Sequence, residues 1–152
     1  MRLIPFTTPM NFKNVVFAAL LLVLNGCIKN NPDPSWLTID KWTLSANPNL
    51  SGNEGELSQN ISEAWIYVND QCLGVFELPV KIPVLKSGPV NVKVYPGIKN
   101  NGVSATKKIY PLLKVYETNI TLVPNQNISL SPSTQYVENT NFIIEDFEGA
   151  NI

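Results

Sequence analysis

Histidine is absent from the 152 residues, and cysteine occurs only twice, at positions 27 and 72. Without imidazole there is no Ser-His-Asp or Cys-His catalysis, no His-ligated metal and no histidine pH switch. Two thiols are too few for a cysteine-cluster metal site. Excess charge of one sign is also missing. Eleven Lys+Arg oppose 12 Asp+Glu, which excludes a strongly basic nucleic-acid face. The longest unbroken apolar run, Val15 to Leu24, has ten residues. A bilayer-spanning helix needs about 20. Helical periodicity is scarce too: from Trp36 to Ile144 no 3.6-residue apolar period lasts beyond two turns.

What is abundant is turn and strand chemistry. Asparagine accounts for 19 residues and proline for 12, both of which favour turns over helix interiors. After residue 35, short apolar runs alternate with turn residues every 8 to 14 positions, the pattern of a β-sandwich or barrel. Strands are expected over Trp36–Leu44, Ala64–Asn69, Leu73–Leu78, Lys81–Leu85, Val90–Tyr95, Thr106–Tyr110, Val115–Val123, Asn127–Leu130 and Asn141–Ile144. The turn Asn69-Asp70-Gln71 predicts a hairpin. Pro83 confines its strand to an edge or an irregular position. Val90, Val92 and Val94 alternate with Asn91, Lys93 and Tyr95, the signature of a half-buried strand. Asn47–Asn60 and Pro96–Val103 are expected as loops. The fold class is therefore all-β, with about eight strands in one core over residues 36–144.

The N-terminus reads as an address. Arg2 and Lys13 precede the ten-residue apolar run, and no acid occurs before Asp33, as in a secretory signal peptide with a helical apolar segment. Leu24-Asn25-Gly26-Cys27 then resembles the lipobox of bacterial lipoproteins. The resemblance implies a signal peptide over 1–26 and a diacylglyceryl group on Cys27, which becomes the first mature residue. It also implies acylation of the new amine. Two or more acyl chains anchor a protein stably, whereas one binds marginally. The partner so implied is a lipid bilayer. Loss of Arg2 and Lys13 leaves nine basic against 12 acidic residues, a net charge of −3. Residues 27–35 then comprise the lipidated cysteine and a tether, rich in Pro and Asn and therefore extended. Ile28, in place of Asp, points to a bacterial outer-membrane lipoprotein of the cell envelope, on its periplasmic or its surface face.

A second resemblance covers Ala64 to Ile98. Ile66-Tyr67-Val68-Asn69-Asp70-Gln71, Leu73-Gly74, Pro79, Leu85-Lys86-Ser87-Gly88 and Val90-Asn91-Val92-Lys93-Val94 resemble a PEGA-type repeat. That implies an immunoglobulin-like or PEGA-like β-sandwich serving as a surface or scaffold module. The whole chain also resembles lipoproteins of Bacteroidota, in which a lipobox, a tether and an all-β domain precede a larger module. Glu145-Asp146-Phe147-Glu148-Gly149 is similar to the opening of such a module, so 145–152 reads as a tail or the remnant of a domain junction.

Chemistry-bearing residues are few. Glu145, Asp146 and Glu148 are hard oxygen donors, but calcium takes six to eight oxygens; a solvated tail is the plainer reading. Trp65 and Tyr67 share one strand face and are candidate glycan contacts, alongside Trp36, Trp42, Tyr95, Tyr110, Tyr116 and Tyr136; core or layer packing is the plainer reading. Either that pair or Ile66 and Val68 must face outward. Cys72 lacks an adjacent base and reads as a buried or half-buried free thiol. Lys99, Lys107, Lys108 and Lys114 form a basic cluster, expected to be a solvated strand face. Asp70 and Glu77 form no recognisable acid/base pair. The expectation is a non-enzymatic envelope lipoprotein without cofactor or metal, structural or adhesive in role; the alternative is a carbohydrate-binding accessory lipoprotein of a glycan-uptake system.

Overall fold

The computed structural model describes Lys13 and residues 32–50 and 54–142. Apart from Lys13, the signal peptide lies outside the described residues, as do Cys27 and the acidic segment 145–148. The chain divides into two compact units, 1–31 and 32–152, and every strand below belongs to the second. Among the described residues no helix is long and apolar enough to cross a membrane.

The second unit is all-β. Its strands are β1 (Ser35–Ile39), β2 (Thr43–Leu44), β3 (Glu63–Val68), β4 (Gln71–Glu77), β5 (Val80–Val84), β6 (Gly88–Lys99), β7 (Lys107–Ile109), β8 (Tyr116–Leu122), β9 (Asn127–Leu130) and β10 (Ser133–Thr134). They form a three-stranded sheet β5-β1-β9, a two-stranded sheet β10-β2 and a five-stranded sheet. In the last, β4, β3 and β6 follow in order, and β8 and β7 pair with successive stretches of β6. β1 pairs antiparallel with β5 and parallel with β9; β2 and β10 are also parallel.

One buried cluster takes side chains from both larger sheets. Leu37, Ile39, Ile82, Val84 and Leu130 come from the three-stranded sheet, and Ala64, Ile66, Val68, Val90, Val92, Val94 and Leu122 from the five-stranded one. Each set follows the period-two rule: alternate residues point to one face, and only that face is apolar throughout. Burying each such side chain contributes about 1.5–3 kcal/mol. Ile66 and Val68 take the inner face, which leaves Trp65 and Tyr67 on the outer one.

Several boundaries depart from the sequence expectation for identifiable reasons. The run Trp36–Leu44 is two strands in two sheets. The Asp40 N–H bonds the Leu130 carbonyl at 2.9 Å and the Thr43 N–H the Pro132 carbonyl at 3.0 Å, so the chain steps sideways between them while Trp42 turns into the core. β6 runs on to Lys99, through Pro96, where a loop is expected. Pro96 lacks an N–H, but it still lies opposite Ala64 of β3 and its carbonyl accepts the Tyr110 N–H at 2.8 Å, while β8 ends at Val94 and β7 begins at Gly97, so the strand carries on across it. Pro83 sits in an edge strand, as expected. The Asn69–Asp70 turn has two residues, not three. Both have positive φ, 50° and 60°, the pairing of a type I′ hairpin, which Asn and Asp tolerate. Asn141 and Phe142 are not strand, and β10, two polar residues, replaces the expected last strand; residues 143 and 144 lie outside the described residues. The domain begins before residue 36. Ser35 opens β1 and is fully buried, and Asp33 and Pro34 already bond Asn125.

The short connections give the domain two distinguishable ends. Ser35, the β3–β4 turn, the β5–β6 loop (85–87) and the β8–β9 loop (123–126) lie at the proximal end. Leu44, Glu63, Lys99, β7 and Thr134 lie at the distal end. β6 spans the distance, about 36 Å for its 12 residues at the usual rise.

Candidate functional site

The distal end holds a cavity of about 390 Å³, bordered by Leu44, Glu63, Lys99, Tyr110, Leu113 and Tyr136 among others. Each wall has a local cause. Leu44 is clamped by Gln59, whose Oε1 accepts the Leu44 N–H at 2.8 Å while its Nε2 donates to the Leu44 carbonyl at 2.9 Å. Asn47 donates from Nδ2 to the Tyr136 carbonyl at 2.7 Å, and its own N–H is accepted by Glu54 Oε1 at 2.8 Å. The long loop expected between Asn47 and Asn60 is thus tied to the distal end by three polar side chains. Tyr136 stacks edge-on against Phe142, with ring centroids 4.8 Å apart. The Tyr136 hydroxyl titrates above its ordinary range, because of burial first and then the nearby Tyr110 and Glu54.

At the floor of this end is a buried acid outside the sequence expectation. Glu63, at the start of β3, is 1% exposed. Its Oε2 meets Lys107 Nζ at 2.6 Å, and its Oε1 meets Lys99 Nζ at 3.3 Å. Burial pushes this carboxyl up, but the two ammonium groups outweigh it and hold the group below its ordinary value. The Glu63 carbonyl also accepts the Trp42 indole N–H at 3.2 Å. Gly97 faces Glu63 across the β3–β6 pair, and a Cβ there would meet Glu63 Cβ at 3.0 Å. Glycine leaves the room that a buried glutamate needs. The lysine cluster is therefore not simply a solvated face. Lys99 and Lys107 converge on Glu63, Lys114 pairs with Glu138 at 2.8 Å, and Lys108 is exposed. Glu138 is held below its ordinary range by Lys114. Strand alternation could have flagged Glu63, an acid next to an apolar strand, but not its partners, which come from β6 and β7.

The aromatic residues do not gather into one platform. Trp42 is in the core, Tyr110 and Tyr136 border the distal cavity, and Trp36 lies on the three-stranded sheet with Lys81 Nζ 5.0 Å from its ring centroid. Trp65, Tyr67 and Tyr95 do share the outer face of the five-stranded sheet, all half-buried. Tyr67 and Tyr95 pack edge-on at 5.4 Å. The Trp65 indole N–H is buried and has no hydrogen-bond partner among the described residues. Tyr67 titrates above its ordinary range through burial and then through Cys72 and Tyr95. Cys72 itself is exposed, contrary to expectation. It sits on edge strand β4 beside a register shift in the β3–β4 pair, where no further strand among the described residues covers it. Asp70 lies in the turn before β4 and Glu77 at the far end of that strand, and Asp70 is committed to Lys93 at 2.6 Å, which raises the lysine's pKa.

Among the described residues no group of three or more His, Cys, Asp or Glu could hold a metal ion; the acidic segment 145–148 lies outside them. No protein-family model, curated protein or solved structure matches the chain.

Proposed function

We propose that the chain is a membrane-anchored lipoprotein of a bacterial cell envelope, held at the outer membrane through acylated Cys27. Its β-domain, of immunoglobulin-like or PEGA-like kind, acts as a non-catalytic structural or adhesive module. The observation that supports this reading is the polarity of the domain. The chain comes in at the proximal end, and the last described residue, Phe142, packs on Tyr136 at the distal end. The point where the described chain enters, at Asp33 and Pro34, is thus separated by about the length of β6 from the cavity and from Phe142. Such a domain holds a binding surface or a downstream module away from the bilayer.

Metabolic labelling with a palmitate analogue tests the anchor. The wild-type chain takes up label and the Cys27→Ser chain does not. An unlabelled wild type, or label that survives the substitution, overturns the reading.

A second reading, a carbohydrate-binding accessory lipoprotein of a glycan-uptake system, is favoured by the Trp65, Tyr67 and Tyr95 face and by the unpartnered Trp65 indole N–H. Aromatic faces stack on sugar C–H surfaces, and the indole can donate to a hydroxyl. On a glycan array this reading expects binding that Trp65→Ala abolishes; a blank array removes it.

A further inference from the structure

We propose that the proximal end of the β-domain is itself a lipid-contacting foot, in which Leu85 and Val123 seat on the bilayer to which Cys27 is anchored. The inference rests on the lipid-anchor reading above. Leu85 is 62% exposed, the most exposed of the large apolar side chains among the described residues, and Val123 is 38% exposed. Both lie in proximal loops, Leu85 between β5 and β6 and Val123 between β8 and β9. These two loops bracket the incoming chain. The Ser35 hydroxyl donates to the Lys86 carbonyl at 3.0 Å, the Asn125 N–H to the Pro34 carbonyl at 2.9 Å, and the Trp36 N–H to the Gln126 carbonyl at 2.8 Å. The Asn125 side chain reaches Asp33 at 3.0 Å. The apolar tips are therefore fixed beside the point at which the chain arrives.

Chain length supplies the rest. Five residue steps separate Cys27 from Pro32, at most about 18 Å when fully extended. A tether this short keeps the foot at millimolar effective concentration against the membrane, so a weak contact is enough. The charges at this end carry no basic excess: Asp33, Asp70 and Glu117 oppose Lys86 and Lys93, with Asp70 and Lys93 already paired. The contact is apolar rather than electrostatic, and it does not require anionic lipid. The distal end also exposes apolar side chains, Val103 and Ile109 among them, but it lies about the length of β6 from Asp33 and Pro34, where the described chain enters.

The test uses the full acylated chain in phosphatidylcholine vesicles that contain brominated lipid. In a Cys72→Ser background a bimane is attached at Ser87→Cys, in the proximal β5–β6 loop, or at Ser104→Cys, at the distal end. Vesicle flotation reports anchoring independently. The expected result is flotation of both proteins, with a blue-shifted, quenched bimane at 87 and an unaffected one at 104. Adding Leu85→Asp and Val123→Asp abolishes the quenching at 87 while flotation and the β-type circular dichroism persist. Replacing a third of the lipid with phosphatidylglycerol, or adding salt, leaves the quenching unchanged. A chain that floats without quenching at 87, or with equal quenching at both sites, overturns the foot alone. A chain that does not float overturns the anchor reading and the foot with it.

Discussion

Lys107→Met tests the electrostatics of the distal end. The substitution keeps an unbranched apolar stem and removes the ammonium 2.6 Å from Glu63 Oε2. Glu63 is 1% exposed and keeps only Lys99, at 3.3 Å. Removing one partner from a buried ion pair costs about 3–5 kcal/mol. Lys99 remains, so we expect roughly 2–3 kcal/mol at pH 7. For a domain of this size that is a drop in Tm of about 8–12 °C. Glu63→Gln should cost less, because the lysine side chains are 34% and 22% exposed and can turn to water. The pH dependence adds a second constraint. The folded Glu63 carboxyl titrates below its ordinary value of 4.5. Its stabilisation is therefore complete above that value and is lost as pH falls through the lower, folded one. Without Lys107, burial raises the carboxyl instead, and protonation relieves the penalty, so the gap between wild type and Lys107→Met narrows as pH falls from 7 to 4. Urea unfolding followed by tryptophan fluorescence at both pH values reads this directly. The argument fails if Glu63→Gln is the more damaging variant, or if the Lys107→Met gap does not shrink in acid.

Gly97→Ala places a methyl 3.0 Å from Glu63 Cβ and 3.3 Å from its backbone carbon; it should cost about 1–3 kcal/mol through overpacking and should lessen the acid dependence that Glu63 contributes, both measurable in the same urea series. At the β3–β4 turn, where Asp70 has φ 60°, Asp70→Gly should fold at least as stably as wild type while Asp70→Val is destabilised, since a β-branched residue resists the left-handed region. Equal melting temperatures for Gly and Val at this position would count against the type I′ assignment.

The parts of the fold legible in the sequence are those governed by nearest neighbours. Val90, Val92 and Val94 announce their strand because a period of two needs no knowledge of the partner, and Pro83 announces an edge because it cannot donate. Less legible are the places where pairing with a distant segment decides. The run Trp36–Leu44 reads as one strand, and only its registration against Leu130 and Pro132 divides it. Ser133–Thr134 has no apolar signal and is a strand solely because Thr43–Leu44 lies beside it. Pro96 reads as a strand end, yet β6 continues through it because Ala64 of β3 lies opposite and the Tyr110 N–H bonds its carbonyl. The candidate site suffers most. Glu63, Lys99 and Lys107 are up to 44 residues apart, and nothing local joins them.

By itself the sequence determined the class: no imidazole, balanced charge, short alternating apolar runs and abundant turn residues restrict the second unit to strands around one core. It also marked Val90, Val92 and Val94 as one face of a half-buried strand, since alternation is a local property of an extended chain. Only the tertiary structure decided which face of β3 turns outward, which lysines surround a buried carboxylate, and which two loops flank the incoming chain. Those outcomes depend on strand order and register, and the free energies that select them come from contacts between residues far apart in the chain.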